Sequence, residues 1–350
     1  MKEIRIGMIG TGYIGRAHAI AYAQAPTVFP LQGKLVREMI AEITPELAQT
    51  RAQEMGFNRA TDDWRKLVAD PNIDVVDICS PNFLHKEMVE AAKKAGVLTL
   101  VGFNYMKNPT SQLAKEIIAN GEIGEVIHFY GTHNEDYMAD PSAPIHWHCF
   151  KEKAGLGALG DLSAHIINMA QFLVGDIETV CGDMEIVIKQ RPEKAGSTVM
   201  VTVENEDQAH AMVRFAGGAM GVIETSRIAA GRKMGLTYVV TGTKGTLSFT
   251  QERMAELKLY RHDEPSNRQG FKTIFVGPEH PDYAPFCNGA GHGIGFNDQK
   301  TVEVRDLIDG VATGQPMWPD FEEGWKVSRI LDAIARSYDE QRWVNVKEIN

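Results

Sequence analysis

The sequence lacks several features that would point to particular protein classes. Its four cysteines (Cys79, Cys149, Cys181 and Cys287) are far apart and form no Cys-x-x-Cys pair, so no disulfide framework is indicated. No uninterrupted apolar run approaches the ~18 residues that a membrane-spanning helix needs. The amino terminus lacks the basic segment and long apolar stretch of a signal peptide. We therefore expect a soluble, cytoplasmic protein that has no membrane partner.

Positive charge is also scarce. The chain has 46 acidic and 36 basic side chains, which gives a formal net charge of −10, and no run of Lys and Arg offsets it locally. Such a surface repels a phosphate backbone, so we expect no nucleic-acid partner. The remaining composition, with 43% hydrophobic and 23% charged residues over 350 positions, is typical of a globular chain of about two domains.

Up to about residue 108, apolar strand segments alternate with helical segments. Thr44 and Pro45 are a typical N-cap and first helical residue, and Gly96 is a typical C-terminal cap. The predicted strands are residues 4–9, 35–42, 73–80 and 97–103, and the predicted helices are residues 16–25, 45–55, 62–70 and 84–95. Strands and helices in this alternation predict a doubly wound parallel sheet built from βαβ units.

The pattern changes in the second part of the chain. A helix at residues 109–121 is followed by short apolar runs separated by Gly-rich turns, and a helical segment at 320–338 comes last. Such runs are typical of antiparallel sheet. The sequence thus predicts an α/β protein with two domains. Residues 1–108 form the parallel sheet, and residues 109–350 form an α+β domain with a large, mostly antiparallel open sheet.

A glycine motif follows the first predicted strand. Gly10, Gly12 and Gly15 form Gly-x-Gly-x-x-Gly at the start of a helix, and Glu42 ends the next strand. In this context the glycines allow a tight turn, close approach of a pyrophosphate, and close packing of helix on strand. The Glu42 carboxylate would accept hydrogen bonds from the adenosine ribose and repel a 2′-phosphate. This favours NAD over NADP; the alternative is a structural glycine turn beside a solvated Glu.

A second group of interest is the segment AGLGALGDLSAHIIN at residues 154–168. Asp161 and His165 are four residues apart, so on a helix they share a face. A neutral histidine beside a carboxylate is a suitable general base, and the Gly-rich lead-in lets a ligand or another backbone come close. The alternative for an isolated pair of this kind is an ion pair on a helix surface.

A metal site is a rival interpretation of the same region. His146 and His148, together with Asp161 and His165, are residue types that bind zinc or iron. No His-Glu-x-x-His motif or cysteine cluster accompanies them, so we expect no metal. Polar and aromatic residues could instead line a polyol pocket, because carboxylates and amides bind hydroxyl groups and a Trp face stacks on a sugar ring. The candidates are Asp136, with Glu135 beside it, Trp147 and Asn297.

These motifs, in this order, resemble the Gfo/Idh/MocA family of NAD(P)-dependent sugar and inositol dehydrogenases. The resemblance is carried by MIGTGYIGRAH, VDICSPNFLHKEMVEAAKKAG, VGFNYMKNP, GALGDLSAHIIN, FAGGAMGVIETSR and GTKGTLSF, nearly from end to end. YAQAPTVFP, DYMADP, PIHWHCFK and GIGFND further resemble the branch of levoglucosan dehydrogenase and related enzymes. The resemblance implies a Rossmann domain joined to an α+β domain whose open sheet forms a homodimer or homotetramer.

The resemblance also implies roles for individual residues. His165 corresponds to the general base, and Asp161 to its acidic neighbour in the substrate site. Asn104 corresponds to a position near the nicotinamide. The other implied cofactor contacts are the fingerprint residues Gly10, Gly12, Tyr13, Ile14 and Gly15, and the positions Ser80, Pro81, Asn82 and His85.

One departure from the family pattern concerns catalysis. The family places a Glu-Lys-Pro motif after a further strand, where its Lys stabilises the developing alkoxide, and this chain contains no such tripeptide. A strand-plus-helix unit of about thirty residues is therefore expected to be missing. If residues 97–103 take the vacated place in the sheet, Lys107 leaves its carboxyl end and replaces the missing Lys. The alternative is a solvated Lys107 that only marks the domain junction.

We therefore expect an enzyme that oxidises a secondary hydroxyl of a sugar, anhydrosugar or cyclitol with NAD. In this hypothesis His165 accepts the proton, Asp161 orients it or the substrate, and Lys107 assists electrostatically. A second hypothesis is an NAD- and sugar-binding protein with weak or no activity, since the loss of one alkoxide-stabilising donor typically costs 10²–10³ in rate. A third is an enzyme that uses tightly held NAD for a non-redox net reaction such as glycoside cleavage.

Overall fold

A computed structural model describes residues 1–94, 99–287, 289 and 291–349. Its helices are α1 Tyr13–Val28, α2 Pro45–Met55, α3 Trp64–Val68, α4 His85–Lys94, α5 Pro109–Ala119, α6 Lys151–Ala154, α7 Ala164–Leu173, α8 Phe296–Thr313 and α9 Phe321–Glu340. Its strands are β1 Glu3–Ile9, β2 Lys34–Ala41, β3 Arg59–Thr61, β4 Val75–Ile78, β5 Val126–Asn134, β6 Ile177–Glu185, β7 Gln190–Pro192, β8 Met200–Thr202, β9 Gln208–Phe215, β10 Met220–Ser226, β11 Gly235–Gly242, β12 Gly245–Thr250, β13 Glu256–Arg261, β14 Lys272–Phe275 and β15 Val344–Asn345.

The chain divides into two compact units. The first consists of Met1–Lys107, Pro285–Asn288 and Ile294–Phe321, and the second of Asn108–Ala284, Gly289–Gly293 and Glu322–Asn350. The segment that contains α8 thus returns to the N-terminal part of the chain, whereas the sequence predicts a single boundary at residue 108. The assignment of an NAD-binding and a substrate domain to these parts of the chain stays a prediction.

The first unit contains a parallel sheet in the order β3-β2-β1-β4. Alternate side chains of β1, namely Ile4, Ile6 and Met8, are fully buried and pack with residues of α1 and α8. Local signals set the ends of α2: the Thr44 side chain accepts a hydrogen bond from the Leu47 amide, and Gly56 ends the helix in the left-handed conformation. The predicted parallel sheet is confirmed.

The prediction of a strand at residues 97–103 is wrong for the five residues that the structure describes. Residues 99–103 form no strand; the Val101 amide donates instead to the carbonyl oxygen of Pro319, in the segment between α8 and α9. Within the described ranges, β4 is therefore an edge strand of this sheet. Gly96 and residues 97 and 98, on which the predicted helix cap and the start of the strand depend, lie outside the described residues.

The second unit is built on a nine-stranded sheet in the order β14-β13-β12-β11-β5-β10-β9-β6-β15. Among the strand pairs of this sheet in the described part of the chain, only β5–β10 is parallel, so the predicted large, mostly antiparallel sheet is confirmed. β7 and β8 form a separate hairpin. The helix α7 packs on β5, and a π-helical turn, Leu159–Ser163, leads into it. This packing places the carboxyl end of β5 next to the predicted base. No described helix is long and apolar enough to cross a membrane.

Candidate active site

The glycine motif of the first unit forms a close-packed turn. Gly10 has φ +89°, and a Cβ there would lie 2.8 Å from the carbonyl oxygen of Cys79, which follows β4. A Cβ on Gly15 would lie 2.3 Å from the carbonyl oxygen of Gly10. Any side chain at these two positions would displace backbone, so the fold itself requires glycine at both.

Gly12 differs from the other two glycines. A Cβ at this position would meet nothing within 4 Å, so packing within the chain does not demand glycine. Gly12 is the N-cap of α1, no side chain caps this helix end, and its first turn has no acidic residue. Tyr13 and Ile14 are exposed beside it. The first amide groups of α1 thus have no side-chain cap and lie next to open space. This arrangement suits the binding of a pyrophosphate.

Glu42 follows β2 and bonds to the glycine turn. Its Oε1 accepts hydrogen bonds from the Thr11 amide at 2.8 Å and the Thr11 hydroxyl at 2.5 Å, and its Oε2 accepts from the Ile43 amide at 3.1 Å. The carboxylate is thereby held beside the turn, where its charge opposes a 2′-phosphate. The residues of this unit therefore fit NAD.

The other predicted cofactor residues of this unit lie after β4 and before α5. Nε2 of His85 lies 2.6 Å from the carbonyl oxygen of Ser80, and Pro81 precedes a short 3-10 helix, Asn82–Leu84. Asn104 is buried and donates to the side chain of Gln299 on α8. The structure thus places Asn104 in the interior of the first unit.

Lys107 is buried in an ion pair. Its Nζ lies 2.7 Å from Oδ2 of Asp306 and 3.0 Å from the carbonyl oxygen of Trp318. The expected alternative of a solvated ammonium is therefore wrong, because α8 supplies a carboxylate in the interior of the unit. Two of the three ammonium protons are directed to these acceptors, which favours a structural role.

Asp161 lies in the π-helical turn of the second unit. Its Oδ2 accepts a hydrogen bond of 2.6 Å from the hydroxyl of Tyr137, a residue that sequence patterns did not single out. The Gly-rich lead-in does allow the predicted close approach of another backbone. A Cβ on Gly157 would lie 2.1 Å from the carbonyl oxygen of Glu206, and the same oxygen accepts a hydrogen bond from the Ala158 amide.

His165 lies in the first turn of α7 and packs against a second histidine. The ring centroids of His133 and His165 are 5.7 Å apart, with the planes at 67°. His133 lies on β5, 32 positions earlier, so no spacing rule could have found it. Its only sequence signal is its position near the carboxyl end of a predicted strand.

The predicted polyol-pocket residues lie in both units of the chain. Asp136 binds the ammonium of Lys233, with its Oδ2 at 2.7 Å, and accepts from the Gly231 amide; these contacts lower its pKa. Trp147 stacks on His148 with the ring centroids 3.6 Å apart. Asn297 lies on α8 in the first unit and is exposed. The structure therefore gives Asp136 a structural partner and leaves the roles of the other two as predictions.

The histidines of the rival metal site form a stacked pair. Nδ1 of His146 lies 2.7 Å from Nδ1 of His148, and burial and the neighbouring charge of His146 lower the pKa of His148 to about 4. Among the described residues, the possible metal ligands that lie within 4.8 Å of one another belong to a different group, His18, Asp77 and Cys79. Hydrogen bonds between the side chains of this group account for its geometry.

Comparison with known proteins places this chain in a family. Residues 4–102 match the model of an oxidoreductase family with an NAD-binding Rossmann fold, and residues 111–248 match the GFO/IDH/MocA C-terminal domain. The chain belongs to the Gfo/Idh/MocA family. It is an NAD-dependent oxidoreductase, so the predicted family, enzyme class and cofactor are confirmed.

Several relatives match over their whole length. Levoglucosan dehydrogenase of Pseudarthrobacter phenanthrenivorans is 36% identical, with 100% of each chain covered, and myo-inositol 2-dehydrogenase of Thermotoga maritima is 25% identical, with 99% of each covered. A crystallised levoglucosan dehydrogenase in complex with NADH superposes with a TM-score of 0.95 at 36% identity, with 99% of each chain covered. An NAD-binding oxidoreductase from Klebsiella pneumoniae gives 0.91 at 41% identity, with 98% of this chain and 99% of the other covered.

Proposed function

We propose that the chain oxidises a secondary hydroxyl of a sugar, anhydrosugar or cyclitol with NAD⁺. The observation that carries the proposal is the Asp161–His165 segment in the second unit, supported on two sides by Tyr137 and His133. A pure binding protein has no need of a supported base. Relatives named as levoglucosan and inositol dehydrogenases support the substrate class.

The proposed chemistry assigns one step to each group. His165 accepts the proton of the reacting hydroxyl, and Asp161 orients a substrate hydroxyl or His165. NAD, when bound, accepts the hydride from the carbinol carbon. In the first unit, Gly10, Gly12, Tyr13, Ile14 and Gly15 would hold the pyrophosphate end of NAD, Glu42 the adenosine ribose, and Ser80, Pro81, Asn82, His85 and Asn104 further parts of the cofactor. Trp147 and Asn297 stay candidate substrate contacts.

The proposal is tested by absorbance at the NADH band with a panel of levoglucosan, other sugars and inositols. We expect NADH formation with at least one of them, and His165→Ala should lower the turnover rate by about 10²–10⁴-fold. His262→Ala, which changes an exposed histidine of the same unit, is the matched control and should keep its activity. NAD binding without reduction on any substrate would contradict the proposal.

The alternative, a weakly active or inactive NAD- and sugar-binding protein, has one structural argument. Lys107 directs its ammonium to Asp306 and Trp318, so it is a poor replacement for an alkoxide-stabilising Lys. The alignment with levoglucosan dehydrogenase spans 389 positions against 350 residues in this chain. The relative therefore has residues without a counterpart here, which supports a missing strand–helix unit. Turnover about 10²–10³-fold slower than in an intact relative would fit this alternative.

The open face of the large sheet is the proposed oligomer surface. Met212 on β9, Val222 on β10 and Tyr130 on β5 are cross-strand neighbours, and Met212 and Tyr130 are exposed. Val222 is half-buried, and Met220 is an exposed apolar side chain on β10. An exposed apolar row of this kind is typical of a surface that a partner covers. Light scattering should show a homodimer or homotetramer that Met212→Glu weakens. The cytoplasmic location stays a prediction.

A further inference from the structure

His133 is a buried histidine that is fixed on both sides. It is 1% exposed and lies near the end of β5, in the same unit as His165. Its Nδ1 lies 3.0 Å from the carbonyl oxygen of Leu162, and its Nε2 lies 3.3 Å from Oε1 of Glu135. Leu162 belongs to the π-helical turn that leads into α7, so His133 ties that turn to the sheet.

The two contacts of His133 with Leu162 and Glu135 bear on its protonation. A carbonyl oxygen and an ionised carboxylate can only accept hydrogen bonds, whereas a neutral imidazole carries a proton on only one nitrogen. The ring of His133 can therefore donate to both acceptors at once only when both of its nitrogens are protonated. Glu135 keeps 25% of its side chain exposed, so its carboxylate stays partly hydrated beside the buried ring. The geometry therefore favours an imidazolium paired with a carboxylate.

The same ring also contacts the proposed base. The His133 and His165 rings meet edge to face, with their centroids 5.7 Å apart. The adjacent Ser163 hydroxyl lies 2.7 Å from the hydroxyl of Thr225 on β10, which attaches the start of α7 to a second strand. A ring fixed at two points is a rigid surface, and it limits the rotation of His165 about its side-chain bonds.

We propose that Glu135 holds His133 as an imidazolium and that His133 is a positioning residue for His165. The inference rests on the proposed role of His165 as the base. The rate of proton transfer depends steeply on geometry, and a displacement of about 1 Å can cost on the order of 10²-fold in rate. When His133 fixes the ring of His165 before the substrate binds, this loss in rate is avoided.

Nitrogen-15 spectra of the histidine rings test the ion pair without any substrate. In the wild-type protein at pH 7.5, one histidine should have two protonated ring nitrogens, and its signal should be absent in His133→Gln. In Glu135→Gln the same signal should change to that of a singly protonated ring. Because Glu135 is partly exposed, this second variant identifies the signal even if His133→Gln does not fold. A singly protonated His133 in the wild-type protein would overturn the proposal.

Kinetics test the positioning role. Glu135→Gln should lower kcat about 10- to 100-fold while KM and NAD affinity stay within about twofold, because in this inference Glu135 acts through His133 on the orientation of His165 and does not line the polyol pocket. Glu135→Asp should recover part of the rate, and His262→Ala should match the wild type. If kcat is unchanged in Glu135→Gln while His165→Ala is inactive, the positioning role of His133 is overturned and the proposed function still stands. An active His165→Ala would overturn the proposed base and the positioning role together, and the spectra would still decide the ion pair.

Discussion

The hydroxyl of Tyr137 donates a 2.6 Å hydrogen bond to Oδ2 of Asp161. Although 45% of Tyr137 is exposed, partial burial and the negative charge of Asp161 raise the pKa of Tyr137. The phenol therefore stays a donor throughout the physiological pH range. Its loop is fixed by the Met138 amide, which donates to the carbonyl oxygen of Arg227. Tyr137 thus directs one carboxylate oxygen of Asp161.

Removing this hydroxyl should affect catalysis more than folding. Tyr137→Phe keeps the ring that packs on His148, so we expect little change in the thermal midpoint. Without this hydrogen bond the Asp161 carboxylate is no longer held in one orientation, and misplacement of a catalytic group by about 1 Å can cost on the order of 10²-fold in rate, so kcat/KM should fall about 10- to 100-fold. Steady-state kinetics with the best substrate measures this. Tyr260→Phe, which removes a hydroxyl bonded to Gln269, is the control; equal effects in both variants would contradict a specific role.

Gly12→Ala should separate cofactor binding from folding. The new Cβ meets nothing within 4 Å and Gly12 has φ −67°, so the variant should unfold at the wild-type temperature. The same methyl group would occupy the space through which a pyrophosphate approaches the helix, so NAD affinity should fall at least about 10-fold. Fluorescence titration with NAD measures the affinity. A variant that binds NAD normally would show that the pyrophosphate does not lie over Gly12.

Gly157→Ala should destabilise the second unit. Its Cβ would lie 2.1 Å from the carbonyl oxygen of Glu206, so the π-helical turn and the neighbouring segment must separate. We expect a loss of about 1–3 kcal/mol in the free energy of unfolding, measured by urea denaturation. Gly217→Ala is the control, because its Cβ points into open space. A Gly157→Ala protein as stable as this control would refute the close approach.

The buried pair of Asp77 and His18 should make stability depend on pH. Burial opposes ionisation of Asp77, but the charge and hydrogen bond of His18 and the hydroxyl of Tyr22 lower its pKa overall. A lowered pKa in the folded state stabilises the fold above the ordinary Asp value of about 3.9, and this stabilisation is lost as the pH falls through the lowered value.

The measurement is urea denaturation between pH 6 and 2.5. The slope of the unfolding free energy against pH should be smaller by up to about 1.4 kcal/mol per pH unit in Asp77→Asn than in the wild type. Asp339→Asn, at an exposed position, should keep the wild-type slope. Parallel slopes for Asp77→Asn and the wild type would mean that Asp77 does not carry the effect.

Lys107→Met should distinguish a structural cation from a catalytic one. Lys107→Met removes the cation from Oδ2 of Asp306 and leaves the Arg305 guanidinium on Oδ1, so the free energy of unfolding should fall by about 1–3 kcal/mol. The turnover rate of the folded protein should change less than about threefold. If turnover instead slows by about 10²-fold while the stability is unchanged, Lys107 would be the replacement for the missing Lys. Lys347→Met, at an exposed position, is the control.

Features that depend on neighbours in sequence were predictable. Thr44, Pro45 and Gly56 set the ends of α2 because capping involves residues within one turn of each other. The glycine turn at Gly10 and Gly15 was predictable for the same reason, since its spacing encodes the strand–turn–helix geometry. Segments whose backbone can bond to distant partners were not predictable in this way. Residues 97–103 have the composition of a strand, yet the Val101 amide donates to the carbonyl oxygen of Pro319.

The sequence by itself determined the family, the parallel and antiparallel sheets, and the Asp161–His165 pair as the candidate centre. Only the tertiary structure brought Tyr137 to Asp161, His133 to His165, and Asp306 to Lys107. The physical reason is that hydrogen bonds and ring contacts across strands and helices depend on how elements pack, not on their spacing. Short-range patterns fix where a reactive side chain lies on its own helix, and long-range packing decides what holds it.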